Sequence, residues 1–185
     1  MLPAEITRHR FTVGEYHKMA EAGVFSEDDR VELIEGEVVQ MTPIGWRHAR
    51  CVSNLSMLLA RYAGDRYVVS VQTPITVDEH DEPQPDLALL RELPAGRLPG
   101  PEEVFLVAEV SDTTLSYDQN IKLPLYARAG ISEALLVDLQ GDVVEVHADP
   151  RPSGYARTSR YDREDGQLRS EALQDLSLPV DQILG

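Results

Sequence analysis

Two carboxylates stand where the sequence gives an acid the least reason to be. Glu109 interrupts the apolar run Val104–Val110, and strand alternation sets it on one face with Phe105, Val107 and Ser111. An ionised carboxyl in such a place is costly unless it is paired, protonated or bound to metal. Asp86 follows Pro85 at the head of the short buried run Asp86–Leu90, where a side chain can leave the sheet edge and point into a cleft. Two acids at the ends of neighbouring buried strands suit a hard cation such as magnesium, which takes oxygen ligands and leaves room for waters and a phosphate oxygen. Such a cation lowers the pKa of a bound water and stabilises charge developing on phosphorus. Each residue also has a plainer reading: Glu109 as a strand-end acid reaching solvent or an arginine, Asp86 as a turn residue.

Lysine usage adds an independent hint. Of 17 basic residues only Lys18 and Lys122 are lysine, and the other 15 are arginine. A lysine retained against that bias marks a place for a compact ammonium whose pKa can be tuned. Lys18 has no partner in the sequence pattern. Lys122 follows Asp118 by four residues, so a simple helical ion pair worth a few tenths of a kcal/mol, ~0.3–0.5, is the alternative.

The elements that must position these residues can be read along the chain. Thr12-Val-Gly-Glu15 is a capping-box pattern opening a helix that closes near Gly23. Residues 30–41 form a hairpin around Glu35-Gly36. Apolar residues from Trp46 to Ala63 fall at helical spacing, with Gly64 as the stop. Residues 67–71 and 74–77 read as strands, and DEHDEPQP (78–85) as a solvated, proline-bearing loop. Residues 91–103 form a surface loop rather than a domain boundary. Val104–Val110 is a strand covered on both faces. A helix over about 115–129 contains Pro124, which kinks it or delays its start. Residues 134–139 and 143–148 make another hairpin, and the β-like remainder ends in a short tail. The order predicts a mixed α+β architecture, a mixed β-sheet flanked by helices with extra hairpins, in one domain over 1–185.

Composition narrows the function classes. Cys51 is the lone cysteine, which excludes an internal disulfide and a cysteine-rich zinc site, and its helical pattern predicts a buried thiol. No run approaches the ~18–20 apolar residues of a membrane span, so a cytoplasmic protein is expected. No GxSxG elbow and no phosphate-binding glycine loop is present, and the five histidines lack zinc-helix spacing. The net charge is −15, and residues 71–150 carry 16 acids against 4 bases, so 12 of the 15 surplus charges sit there. Broad attraction to a polyanion does not follow from such a balance; a cation site or a second subunit would have to offset it.

Taken in order, Pro85-Asp86, Glu109-Val110-Ser111 and the lysine of YDQNIKLPLYARAG resemble the PD-(D/E)XK nuclease superfamily. More narrowly the chain is similar to the Uma family of restriction endonucleases. VELIEGEVVQMTP, the histidine of GWRHAR, EPQPDLALL, VAEVSD, GISEALLVD and LSLPVDQIL carry that resemblance over roughly 30–185. It implies a restriction-endonuclease-like core in which Asp86 and Glu109 bind Mg²⁺ or Mn²⁺. It further implies cleavage of DNA phosphodiester bonds by a homodimer whose apolar, β-rich C-terminal region offers surface for association. The superfamily's lysine stands two residues after the Glu, where this chain has Ser111, so the resemblance implies that Lys122 reaches the same spot from the following helix. Glu32, chosen over Glu35 beside Gly36, becomes the accessory acid, and His48 contacts phosphate, supports the site, or is structural or merely exposed. Two rivals stay open: the same fold retained for binding or oligomerisation without cleavage, and a metal-dependent hydrolase of a smaller phosphoester.

Overall fold

The computed structural model describes residues 7–26 and 28–185. Helix α1 spans Val13–Glu21 and opens on a complete capping box. The Glu15 amide donates to Thr12 Oγ1 at 3.2 Å, and the Thr12 amide donates to the Glu15 carboxylate at 2.9 Å. Strands β1 (Val31–Ile34) and β2 (Glu37–Gln40) pair antiparallel. Their turn holds Glu35 at φ 52° and Gly36 at φ 75°, the twin positive angles of a tight hairpin. A side chain at Gly36 would also strike Arg10, whose Cβ lies 2.6 Å from where a Cβ would sit.

Helix α2 runs Trp46–Ala63, as its apolar spacing predicts, and stops at Gly64. A six-stranded sheet follows, in the order β3 (Val68–Val71), β4 (Leu87–Leu90), β5 (Val104–Ser111), β6 (Glu133–Asp138), β7 (Val143–Arg151) and β8 (Gly154–Tyr161). Every neighbouring pair in it is antiparallel except β5–β6. That parallel pair needs a crossover, and the helical segment 115–128 supplies it. A small antiparallel pair, β9 (Gln167–Arg169) and β10 (Ser177–Pro179), precedes α5 (Val180–Leu184).

The central strands β4, β5 and β6 are buried on both faces, which is why they read as continuous apolar runs. On one side α2 and α5 contribute Cys51, Leu55, Leu59 and Ile183 against Leu106, Ala108 and Val110. On the other, Leu123, Leu125 and Tyr126 pack with Val107, Ala134 and Leu136. Each fully buried leucine contributes roughly 1.5–3 kcal/mol.

The crossover is not the single α-helix expected over 115–129. It consists of α3 (Leu115–Tyr117), a π-helical turn (Asp118–Lys122) and α4 (Leu123–Arg128). Leu123 N–H donates to Asp118 O, five residues back. Pro124 has no N–H, and its ring would crowd the carbonyl four residues earlier in an α-helix; the wider turn relieves that contact.

Four other expectations need correction. Residues 74–77 join no ladder: their amides go instead to Pro83, Pro99 and Asp81 carbonyls. Phe105 does not share a face with Val107. The register slips between Leu89 and Leu90, which pair with Leu106 and Val104, so Phe105 is the extra residue of a bulge and packs toward the α2 side. The loop 78–85 is not wholly solvated, since Asp81 and Glu82 are buried. The C-terminal tail is helical, and its apolar residues, with Leu168, Leu176 and Leu178, face inward. They offer no apolar surface for association.

Candidate active site

Strand β5 places Glu109 near its end, on the face that looks toward the crossover. Asp86 sits immediately before β4, the neighbouring strand, and Glu32 lies within β1. The π-helical turn delivers Lys122 from the opposite side. All four side chains line one cavity of about 830 Å³, together with Asp118 and His48.

Lys122 is the hub. Its Nζ lies 3.1 Å from Glu109 Oε1 and 3.2 Å from Glu32 Oε2, and it donates to Gln84 O at 3.3 Å. It does not form the simple helical pair with Asp118. That carboxylate instead accepts from Ser111 Oγ at 2.6 Å and Thr114 Oγ1 at 2.7 Å. Glu32 is tied further by the Gln84 amide at 3.0 Å and by Tyr117 OH at 3.1 Å. Glu35, the alternative accessory acid, is exposed and reaches Arg128 at 3.3 Å, outside the cavity.

One partner escaped the sequence reading and another was left open by it. Tyr126, fully buried, donates its hydroxyl to Glu109 Oε1 at 2.5 Å. It follows Lys122 by four residues, so one helical face brings both to the same oxygen. An aromatic in an apolar pattern reads as core, and only the acid opposite reveals its second task. His48 Nε2 lies 3.0 Å from Asp86 Oδ2, which also accepts from the Val110 amide at 2.9 Å. The sequence left His48 between support and exposure; the fold brings it to the acid.

Electrostatics follow from burial. Of the buried side chains in the cavity, Glu32, Asp86, Glu109 and Asp118 are acids, and Lys122 is the one base among the described residues. Burial pushes Glu109 up to about 8, with Asp118 and Asp86 adding to the rise and Lys122 and Tyr126 opposing it. Burial likewise raises Asp118 against its two hydroxyl donors. Burial would also raise Asp86, but His48, the Val110 amide and Lys122 outweigh it and hold that carboxyl below its usual range. Lys122 pays a burial penalty on its charge, yet Glu109, Glu32 and Asp118 more than offset it and its pKa is raised.

The donor set fits a hard divalent cation. Surplus buried negative charge needs a proton or a cation, and carboxylate oxygens favour magnesium or manganese over softer metals. Among the described residues no three acidic, histidine or cysteine side chains converge as a ready-made cluster.

With this geometry in hand, comparison with known proteins is informative. A family model described as "Uma2: Putative restriction endonuclease" matches residues 13–181. The chain belongs to the Uma2 family. Among curated proteins none matches it. A solved Anabaena variabilis structure, described as a "putative nuclease belonging to DUF820", shares the fold of this Uma2 chain with a TM-score of 0.71. Identity is 15%, over 94% of this chain and 97% of that one. The mixed sheet flanked by helices is thus the restriction-endonuclease-like architecture anticipated from the motifs. No helix among the described residues is long and apolar enough to cross a membrane.

Proposed function

We propose that this Uma2 chain is a Mg²⁺- or Mn²⁺-dependent endonuclease that hydrolyses DNA phosphodiester bonds within one domain. The observation carrying the proposal is the position of Lys122, 3.1 Å from Glu109 and 3.2 Å from Glu32 in the cavity that Asp86 also lines. Asp86 and Glu109 hold the cation and Glu32 is the accessory acid. When bound, the cation supplies positive charge at the scissile phosphate and a more acidic water. Lys122 orients the attacking water or donates to a phosphate oxygen as charge develops there. Its three N–H groups already face Glu109, Glu32 and Gln84 O. Gln84 O is the one uncharged partner of the three, so it is the one most easily exchanged for substrate.

A homodimer, one copy for each DNA strand, completes the proposal. Edge strand β3 exposes Val68 and Val71 and is the surface we assign to pairing. Cytoplasmic residence accompanies the reading.

Incubation with supercoiled plasmid tests it. The wild-type chain nicks DNA with Mg²⁺ or Mn²⁺, EDTA stops it, and Asp86→Ala/Glu109→Ala is inert. Equal nicking by both proteins, or none by the wild type with either metal, overturns the proposal. Ser111 at the superfamily's lysine position and the net charge of −15 favour the rival of a fold kept without cleavage. The second outcome would select that rival, unless a small phosphodiester is hydrolysed instead.

A further inference from the structure

Each of the two central carboxylates is gripped by one oxygen. Glu109 Oε1 receives Tyr126 OH at 2.5 Å and faces Lys122 Nζ at 3.1 Å. Asp86 Oδ2 receives the Val110 amide at 2.9 Å and lies 3.0 Å from His48 Nε2. The remaining oxygens are treated differently. Asp86 Oδ1 has one long contact, Gln72 Nε2 at 3.3 Å. Glu109 Oε2 accepts no hydrogen bond from the described residues. It is also not among their fully buried atoms lacking a partner, which are His48 Nδ1 and Glu133 Oε1. Glu109 Oε2 therefore keeps access to the cavity.

A carboxylate free to rotate presents either oxygen; one whose first oxygen is held by two donors presents the second. We infer that Tyr126 and His48 are positioning residues that fix Asp86 Oδ1 and Glu109 Oε2 as the pair of oxygens facing a divalent cation. In this assignment neither side chain would be a ligand of the cation. Each acts through the acid it holds, as hydrogen-bonding partners of metal ligands do elsewhere, where their loss costs about 10–100-fold in affinity. The division of labour explains why Tyr126 carries a hydroxyl among the buried apolar residues of α4, Leu123, Leu125 and Ala127, where phenylalanine would pack as well. His48, on the first turn of α2, brings its Nε2 to Asp86 from the wall of the same cavity. This inference rests on the proposed metal-dependent reading.

The test is Mn²⁺ binding by the full chain, followed by the loss of the free-ion paramagnetic signal and by calorimetry, alongside plasmid nicking. Tyr126→Phe and His48→Ala should each weaken Mn²⁺ binding by about tenfold or more. His48→Gln, whose amide can replace the donor, should stay within about threefold of wild type, well short of that loss. A merely structural role would lower the melting temperature of the variants without moving their Mn²⁺ affinity. Should His48→Ala fail to fold, Tyr126→Phe decides, because it keeps the buried ring. Wild-type Mn²⁺ binding with unchanged affinity in the variants overturns the inference and leaves the proposed function standing. Absence of Mn²⁺ binding by the wild type overturns the metal-dependent reading itself, and the inference with it.

Discussion

Lys122 Nζ sits 3.1 Å from Glu109 Oε1, although one residue lies two before the end of a strand and the other closes a π-helical turn. In the nuclease superfamily that the motifs resemble, the lysine stands two residues after the glutamate. Here that place is Ser111, whose hydroxyl anchors Asp118 at the start of the turn that carries Lys122.

Lys122→Met is the first consequence. It leaves Glu32 and Glu109 buried without their cation, a change that typically costs about 3–5 kcal/mol. Nicking should fall by about 100-fold or more, the usual scale for losing a proton-handling group. Melting curves and nicking rates on the same preparation check both effects.

The two glutamates of the first hairpin should part company. Glu32→Gln removes a charge held 3.2 Å from Lys122 in a buried site, so activity should drop by about tenfold or more as for other groups supporting a metal centre. Glu35→Gln touches only an exposed pair with Arg128, worth about 0–1 kcal/mol. Nicking rates of the two variants should differ by at least the tenfold assigned to Glu32.

Stability should depend on pH through Glu109. Its pKa is raised from 4.5 to about 8, first by burial and then by Asp118 and Asp86. The folded chain keeps a proton there that the unfolded chain releases above about 4.5. That contribution to stability is full below 4.5 and is lost as pH rises through about 8. The melting temperature of EDTA-treated protein should carry this decline, and Glu109→Gln should remove it. Mn²⁺ added at the alkaline end should restore stability to the wild type and not to the variant.

Cys51 should be inert in the native state. It is 1% exposed, and burial, with Asp86 adding, pushes its thiol up to about 12. Ellman's reagent should leave it unmodified in buffer and label it fully in guanidinium. Immediate labelling of the folded chain would contradict the packing of α2 against β5.

Much of this was legible in the residues because local pattern and global fold agree there. The α2 stripe from Cys51 to Leu59 required one face buried, and the run around Glu109 required a strand covered twice. Glu109 stood out because its apolar neighbours make an acid costly, and Asp86 gained weight from its place at the head of the neighbouring buried strand. What stayed hidden depends on partners distant in sequence. Tyr126 reads as core until Glu109 appears opposite it, and His48 stays open among site support, structure and exposure until α2 is docked beside Asp86. Asp81 and Glu82 read as solvated because their partners, the Glu35 amide, His17 and Thr76, come from other elements. The C-terminal α5, only five residues long, is too short for a periodic signal, and docking on α2 makes it a helix.

The claim on which the account turns is that Asp86 and Glu109 share one divalent cation. Crystals soaked in Mn²⁺ and measured at the manganese absorption edge test it most directly. The account predicts a single strong anomalous peak within about 2.0–2.3 Å of an oxygen from each carboxylate, as expected for a hard cation on oxygen ligands. A peak elsewhere on the acidic surface, or none in the cavity at saturating Mn²⁺, would contradict it.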